Sequence, residues 1–199
     1  GPRPDDQVNF TDGDSRIMPV SGGGFEQAYN AQATVTMGSL LIVGTHVTQN
    51  PNDQQEMEPA VAELAQLPAS LGAVERLAAD NGYGSAHNVD ILVEHGIEPF
   101  IAVGRQPHHE ALEERLAPVA EAPNNPDAVG AMKHRLKTQA GKAFYAQRKT
   151  TSEPVFGIIK EVMGFRRFLL RGLAAVKGEW RLVCLAFNLK RLFVLQQGV

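Results

Sequence analysis

"LAADNGYGSAHNVDILVEHGIEPFIAV" runs from Leu77 to Val103. An apolar run ends at a carboxylate, Asp80, and a Gly-Tyr-Gly turn follows at once. A helical pattern, Ser85 to Gly96, then leads into a second apolar run, Ile97 to Val103. Strand, helix and strand in so short a span predict a parallel pair joined by a crossover. The fold class is therefore α/β or α+β, built in layers. In open α/β sheets, sites form beyond the carboxyl ends of the strands. Asp80 stands at such an end, where its side chain can face a cleft while its backbone stays ordered. Asp-Asn-Gly is also good turn chemistry, so a turn or cap is the competing reading.

Upstream, "FEQAYNAQATVTM" (Phe25–Met37) partly alternates and reads as a strand. "SLLIVGTHVT" (Ser39–Thr48) reads as a buried strand, with a turn at Met37-Gly38 making the two a hairpin. In "NPNDQQEMEPAVAELAQL", Asp53 and Glu56 have capping-box spacing, and Met57, Val61, Leu64 and Ala65 mark one helical face. Asp53 is the runner-up acid, with capping favoured over catalysis. Residues 1–24 are rich in Gly, Pro and Asp and read as an arm or loop. The glycines of "SGGGF" are no phosphate loop, because no Lys-Ser/Thr follows.

Downstream, residues 104–130 read as an insertion or linker. His108 and His109 beside Glu110 lack the spaced ligands that would complete a metal site. "AGKAFYAQRKTTSEPVFGIIKEVMGFRRFLL" is one long helical pattern interrupted at Pro154. "GLAAVKGEWRLVCLAFNLKRLFVL" is a final apolar helix in which Trp180, Cys184 and Phe187 read as core.

A length of 199 residues suggests one domain, or one with appendages. With 43% hydrophobic and 21% charged residues, the chain is globular rather than disordered. A single cysteine, Cys184, excludes an internal disulfide and fits a reduced compartment. No apolar run reaches the ~18–20 residues of a membrane span. No apolar signal segment opens the chain. Charge is unevenly spread. Residues 1–130 carry 5 Lys/Arg and 19 Asp/Glu, a balance of −14; residues 131–199 carry 14 and 3, a balance of +11. A basic end of that kind suits a polyanion such as nucleic acid, unless the two halves neutralise each other.

Glu153 is the only acid between Gly130 and Lys160. A glutamate within a basic segment suits metal-dependent phosphoryl transfer on DNA: cations hold the phosphates while carboxylates hold the metal. A surface ion pair with Arg148 or Lys149 is the competing reading.

These pieces resemble, in order, the bacterial insertion-sequence transposases of the DDE class, whose catalytic core is RNase H-like. "NFTDGDSRIM" with "GGFEQAYNAQATV" is similar to the family's segment leading into its second strand. "THVTQNPNDQQEMEP" resembles the third strand and first helix, and "LAADNGYGSAHNV" the strand bearing the second catalytic aspartate. "YAQRKTTSEPVFGIIK" resembles the signature around the catalytic glutamate, and "RRFLLRGLAAVKGEWRLVCLAFNLKRL" the C-terminal helices. The signature is Tyr, two residues, Arg, three residues, Glu, six residues, Lys. Here four residues separate Arg148 from Glu153, which makes Lys149 a second candidate for the Arg position.

The resemblance implies an α/β fold with an RNase H-like mixed sheet flanked by helices. The core is expected over 25–171, with 172–199 as a C-terminal helix packed on it. Asp80 and Glu153 are implied as catalytic and metal-binding, with Mg²⁺ or Mn²⁺ as cofactor. Tyr145, Arg148, Lys149 and Lys160 are implied as contacts to DNA, with Arg166, Arg167 and Arg171 as further basic candidates. The partners implied are transposon-end and target DNA, with no membrane and a homodimer in the synaptic complex. The setting implied is the bacterial cytoplasm, on the nucleoid when bound to DNA. The family's first aspartate lies on a first strand upstream of everything matched. Asp12 and Asp14 are the nearest candidates, but they fall in a different family segment. The expectation is therefore a C-terminal piece or a truncated copy, inactive alone. The alternatives are a non-catalytic DNA-binding remnant of the same fold and a protein-interaction domain.

Overall fold

The computed structural model describes residues 8–20, 22–102 and 123–198. Its strands are β1 (Arg16–Pro19), β2 (Phe25–Ala28), β3 (Asn30–Val35), β4 (Ile42–Thr48), β5 (Arg76–Ala79) and β6 (Glu98–Ile101). Its helices are α1 (Met57–Leu64), α2 (Ala86–Glu94), α3 (Ala128–Lys137), α4 (Gln139–Ala146), α5 (Ser152–Gly157) and α6 (Leu173–Gln196). A π-helical turn, Ile158–Val162, continues α5. The result is a mixed α/β fold whose strands pair two by two: β1 with β2, β3 with β4, and β5 with β6. Two compact units result, one formed by residues 1–52 with 151–199 and the other by 53–150.

The discontinuous unit joins both antiparallel hairpins to the C-terminal helices. Gly22, Gly23 and Gly24 all take positive φ, a conformation side chains resist, and so turn β1 into β2. The segment expected to be an arm thus carries a strand. The single strand read over Phe25–Met37 is two, parted at Tyr29, and each half pairs with a different partner. The expected hairpin from there to Thr48 is present, its turn closed by Thr36 N–H donating to Leu41 O at 2.9 Å. Ile42 and Val47 of β4 bury against Val155, Ile159, Val176, Trp180, Cys184 and Phe187. Polar bonds from two side chains fix α6 over the β3–β4 hairpin. The Trp180 indole donates to Gln32 O at 2.8 Å. The Asn188 amide pairs with Ile42, accepting from its N–H at 2.9 Å and donating to its carbonyl at 2.7 Å. Burying aromatic and amide groups together needs such partners, since an unpaired buried donor costs more than the bond returns.

The helix break sits before Pro154 rather than at it. Residues 147–151 leave the helix after α4, and Pro154 falls in the first turn of α5. A first-turn N–H has no intrahelical acceptor, so proline there removes no bond.

The continuous unit is organised by β5 and β6, which pair in parallel with Arg76 opposite Glu98 and Ala79 opposite Ile101. Helix α2 makes the expected crossover. Ser85 caps it, its hydroxyl accepting from Asn88 N–H at 3.1 Å. Gly96 ends it, with Ile97 N–H donating back to Leu92 O at 2.8 Å, the longer bond of a Schellman stop. Val89 and Leu92 of α2 bury with Met57 and Val61 of α1, Ile101 of β6 and Met132 of α3. The expected capping box fails: α1 begins at Met57 with Glu56 in the cap place and no side-chain cap. Asp53 is therefore not its N-cap. Most of the expected insertion, with His108 and His109, lies outside the described residues.

Candidate functional site

Asp80 follows β5 directly. Its carboxylate accepts from Gly82 N–H at 2.8 Å and caps the short 3₁₀ turn Asn81–Tyr83. It caps a turn, and it stands at the carboxyl end of a parallel strand. The two glycines beside Tyr83 have separate uses. A Cβ on Gly82 would lie 2.9 Å from Asp80 Oδ1 and 3.0 Å from Asp53 Oδ2. Two carboxylates thus converge on a position that only hydrogen occupies. A Cβ on Gly84 would lie 2.8 Å from Ala102 O, so glycine lets this turn press on the end of the next strand.

Asn88 holds the two loops together. This fully buried amide on α2 donates to Tyr83 O at 2.8 Å and to Gln54 O at 3.0 Å. It thereby ties the loop of Asp53 to the turn of Asp80. The Tyr83 hydroxyl is pushed well above its ordinary range, first by burial and then by the charges of Asp53, Asp80 and Glu56. It remains a neutral donor beside a negative cluster. Sequence reading passed over Asn88 and gave Asp53 a capping role. The proximity of Asp53 to Asp80 depends on two loops 27 positions apart, and no local pattern encodes it.

Glu153 is exposed in the first turn of α5, where the helix dipole favours an acid. It belongs to the discontinuous unit, while Asp80 and Asp53 belong to the continuous one. Tyr145 is half-buried on α4, and the Arg148 guanidinium lies 5.7 Å from its ring centroid. Lys149 is exposed. Lys160 is exposed within the π-helical turn, its ammonium 6.0 Å from the Phe156 ring. Arg166, Arg167 and Arg171 are exposed in the loop before α6, and Arg166 pairs with Glu161.

Asp12 and Asp14 serve the fold. The Asp12 carboxylate accepts from the Tyr29 hydroxyl at 2.8 and 2.9 Å and from Gly172 N–H at 3.2 Å. Asp14 Oδ2 accepts from Leu173 N–H at 2.9 Å. The two acids cap α6 from across the unit, meeting backbone donors that have no partner within the helix. Burial pushes the Asp12 carboxyl up. Bonds from Tyr29 and from the backbone of Gly172, Asp14 and Ser15 outweigh it and hold the group below its ordinary value.

Among the described residues no group of three or more His, Cys, Asp or Glu side chains is placed to hold a metal ion. Asp53 and Asp80 still offer hard oxygen donors side by side. That pair fits Mg²⁺ or Mn²⁺, ions that keep most of their ligands as water and phosphate oxygens.

Residues 120–193 match the family model described as Transposase DDE domain. The matched stretch is consistent with the C-terminal part of a DDE transposase, and Tyr145, Arg148, Glu153, Lys160 and the arginines before α6 fall within its bounds. Neither the curated proteins nor the solved structures give a match. At the level of the family, this match implies the DNA cleavage of transposition, with DNA as substrate and a divalent metal. Among the described residues no helix is long and apolar enough to cross a membrane.

Proposed function

We propose that this chain is the C-terminal part of a DDE transposase catalytic domain with an RNase H-like core over 25–171, and that by itself it binds DNA without cutting it. The observation that carries the reading is the match of 120–193 to the Transposase DDE domain, a stretch that includes position 153. The mixed α/β character of the described residues, an antiparallel hairpin in one unit and a parallel pair with its crossover helix in the other, is compatible with that reading.

Asp80 and Glu153 would hold the metal, with Asp53 beside Asp80 as a further carboxylate. A magnesium or manganese ion would supply Lewis-acid activation of the attacking oxygen and charge relief at the leaving one. Tyr145, Arg148, Lys149 and Lys160 grip backbone phosphates at the transposon end, and Arg166, Arg167 and Arg171 extend that grip. Such contacts position DNA without reading its sequence. Two copies meet in the synaptic complex, in the bacterial cytoplasm. The lack of cutting follows from the carboxylates. Asp12 and Asp14, the nearest candidates for the family's first aspartate, are committed to the α6 terminus and Tyr29.

The test is Mg²⁺- or Mn²⁺-dependent nicking of transposon-end DNA, by this chain and by a longer version carrying the family's first strand. The expected result is salt-sensitive binding by both, cutting by the longer one alone, and loss of cutting in Asp80→Ala and Glu153→Ala. Binding without cutting by both would favour the DNA-binding remnant. No binding at low salt would favour a protein-interaction domain.

A further inference from the structure

Glu179 is the only acid between Val162 and Val199, a stretch that carries seven Lys or Arg. It stands on α6, one place before Trp180, and its carboxylate is turned to backbone. Leu169 N–H donates to its two oxygens at 3.0 and 3.1 Å, and Leu170 N–H donates to one of them at 3.0 Å. These bonds pin the middle of residues 163–172, the loop between the π-helical turn and α6. Other contacts fix its ends and its inner side. Gly164 and Gly172 take positive φ near the two ends. Phe165 and Phe168 pack on Trp180 with ring centroids 6.2 and 6.4 Å away, and Tyr29 meets Phe168 edge-on at 6.2 Å. Arg166, Arg167 and Arg171 are exposed, and the last two bracket the pinned leucines.

We propose that Glu179 is a positioning residue for DNA: it holds the backbone at 169 and 170 so that Arg167 and Arg171 meet phosphates at a set spacing. The inference rests on the reading of this loop as part of the DNA grip, and adds the residue that shapes it. Stability gives a poor reason for such an acid. The bonds to Leu169 and Leu170 lie at the surface, where water serves as acceptor, so their net worth to folding is small. Charge gives a worse one, because a carboxylate near a phosphate grip repels the ligand. Geometry gives a good one. Ordering a loop in advance removes that cost from association. An anchor on a helix also sets the arginine stems more firmly than solvent does.

Fluorescence anisotropy of the whole chain on a short labelled duplex of arbitrary sequence tests it, since phosphate contacts carry no sequence information. Glu179→Gln and Glu179→Ala remove the same charge, but only glutamine keeps an acceptor oxygen at that reach. The expected result is binding about fivefold weaker for Glu179→Ala than for Glu179→Gln, with a salt slope shallower by about one. Charge alone would make both variants bind equally, and more tightly than the original. Glu179→Asp keeps the charge and shortens the reach, so it should bind more weakly than the original. It supplies the readout should Glu179→Ala prove unfolded by circular dichroism. Equal binding by folded Glu179→Ala and Glu179→Gln would overturn the proposal. So would Glu179→Asp binding like the original where the alanine variant does not fold. An unchanged chain that fails to bind the duplex at low salt would overturn the DNA reading itself, and the positioning role with it.

Discussion

Replacing Asp12 by alanine should loosen the discontinuous unit by an amount its bonds allow us to work out. The carboxylate receives the Tyr29 hydroxyl at 2.8 and 2.9 Å, and the N–H groups of Gly172 and Asp14 at 3.2 Å. A hydrogen bond to a charged group contributes about 1.5–3 kcal/mol, and loss of a helix cap costs about 0.5–2 kcal/mol. The backbone bonds are long and Asp12 is only half-buried, so the lower end applies: about 2 kcal/mol for the set. For a chain of this size that lowers Tm by roughly 4–8 °C. The pH dependence has a definite sign. The folded carboxyl is held below its ordinary value of 3.8, so its charge stabilises above that value. The stability is lost as pH falls from there through the folded value. Thermal unfolding of the original, Asp12→Asn and Asp12→Ala, followed by circular dichroism at pH 7 and again near pH 3, reads both effects. Asp12→Asn should fall short of the original at neutral pH and converge with it in acid. A deficit equal at both pH values, or none at pH 7, would refute the reasoning.

Three further outcomes follow from the continuous unit. Asn88→Ala removes the donor that ties the Gln54 and Tyr83 carbonyls together and should cost about 1–3 kcal/mol in urea unfolding, with faster proteolysis near Gln54 and Tyr83. Gly84→Ala drives a methyl against the Ala102 carbonyl, which is backbone and cannot swing aside; about 1–3 kcal/mol should be lost in the same assay. Gly82→Ala meets only carboxylate ends that can move. It should shift Tm by less than about 2 °C. Yet it should slow cutting by a longer, active version about 10²-fold, through displacement of Asp53 and Asp80.

The parallel pair was legible because its signals are local. Asp80, Ser85 and Gly96 each mark a boundary with a backbone bond of their own, and the apolar runs between them leave one topology. Tyr29 broke the strand read across it for a reason no window contains: its hydroxyl is claimed by Asp12, 17 residues upstream. The capping box at Asp53 failed in the same way, since the chain there bends toward Asp80 and Asn88 rather than into α1. The place of Asp80 at the end of β5 was legible from the apolar run before it and the turn after it. Asp53 and Asn88 carry no motif, and their roles arise only when separate loops meet.

The discontinuity of the first unit fixes an order of events during synthesis. Trp180 and the Gln32 carbonyl it holds are 148 residues apart. At ~5–20 residues per second, β3 must wait roughly 7–30 s for the helix that covers it. Isolated hairpins are marginal in water, so until then Ile42 and Val47 remain open to other chains or to a chaperone. The segment from 53 to 150 is complete well before α6 leaves the ribosome. The unit bearing Asp80 can therefore fold first, while the unit bearing Glu153 waits for α6.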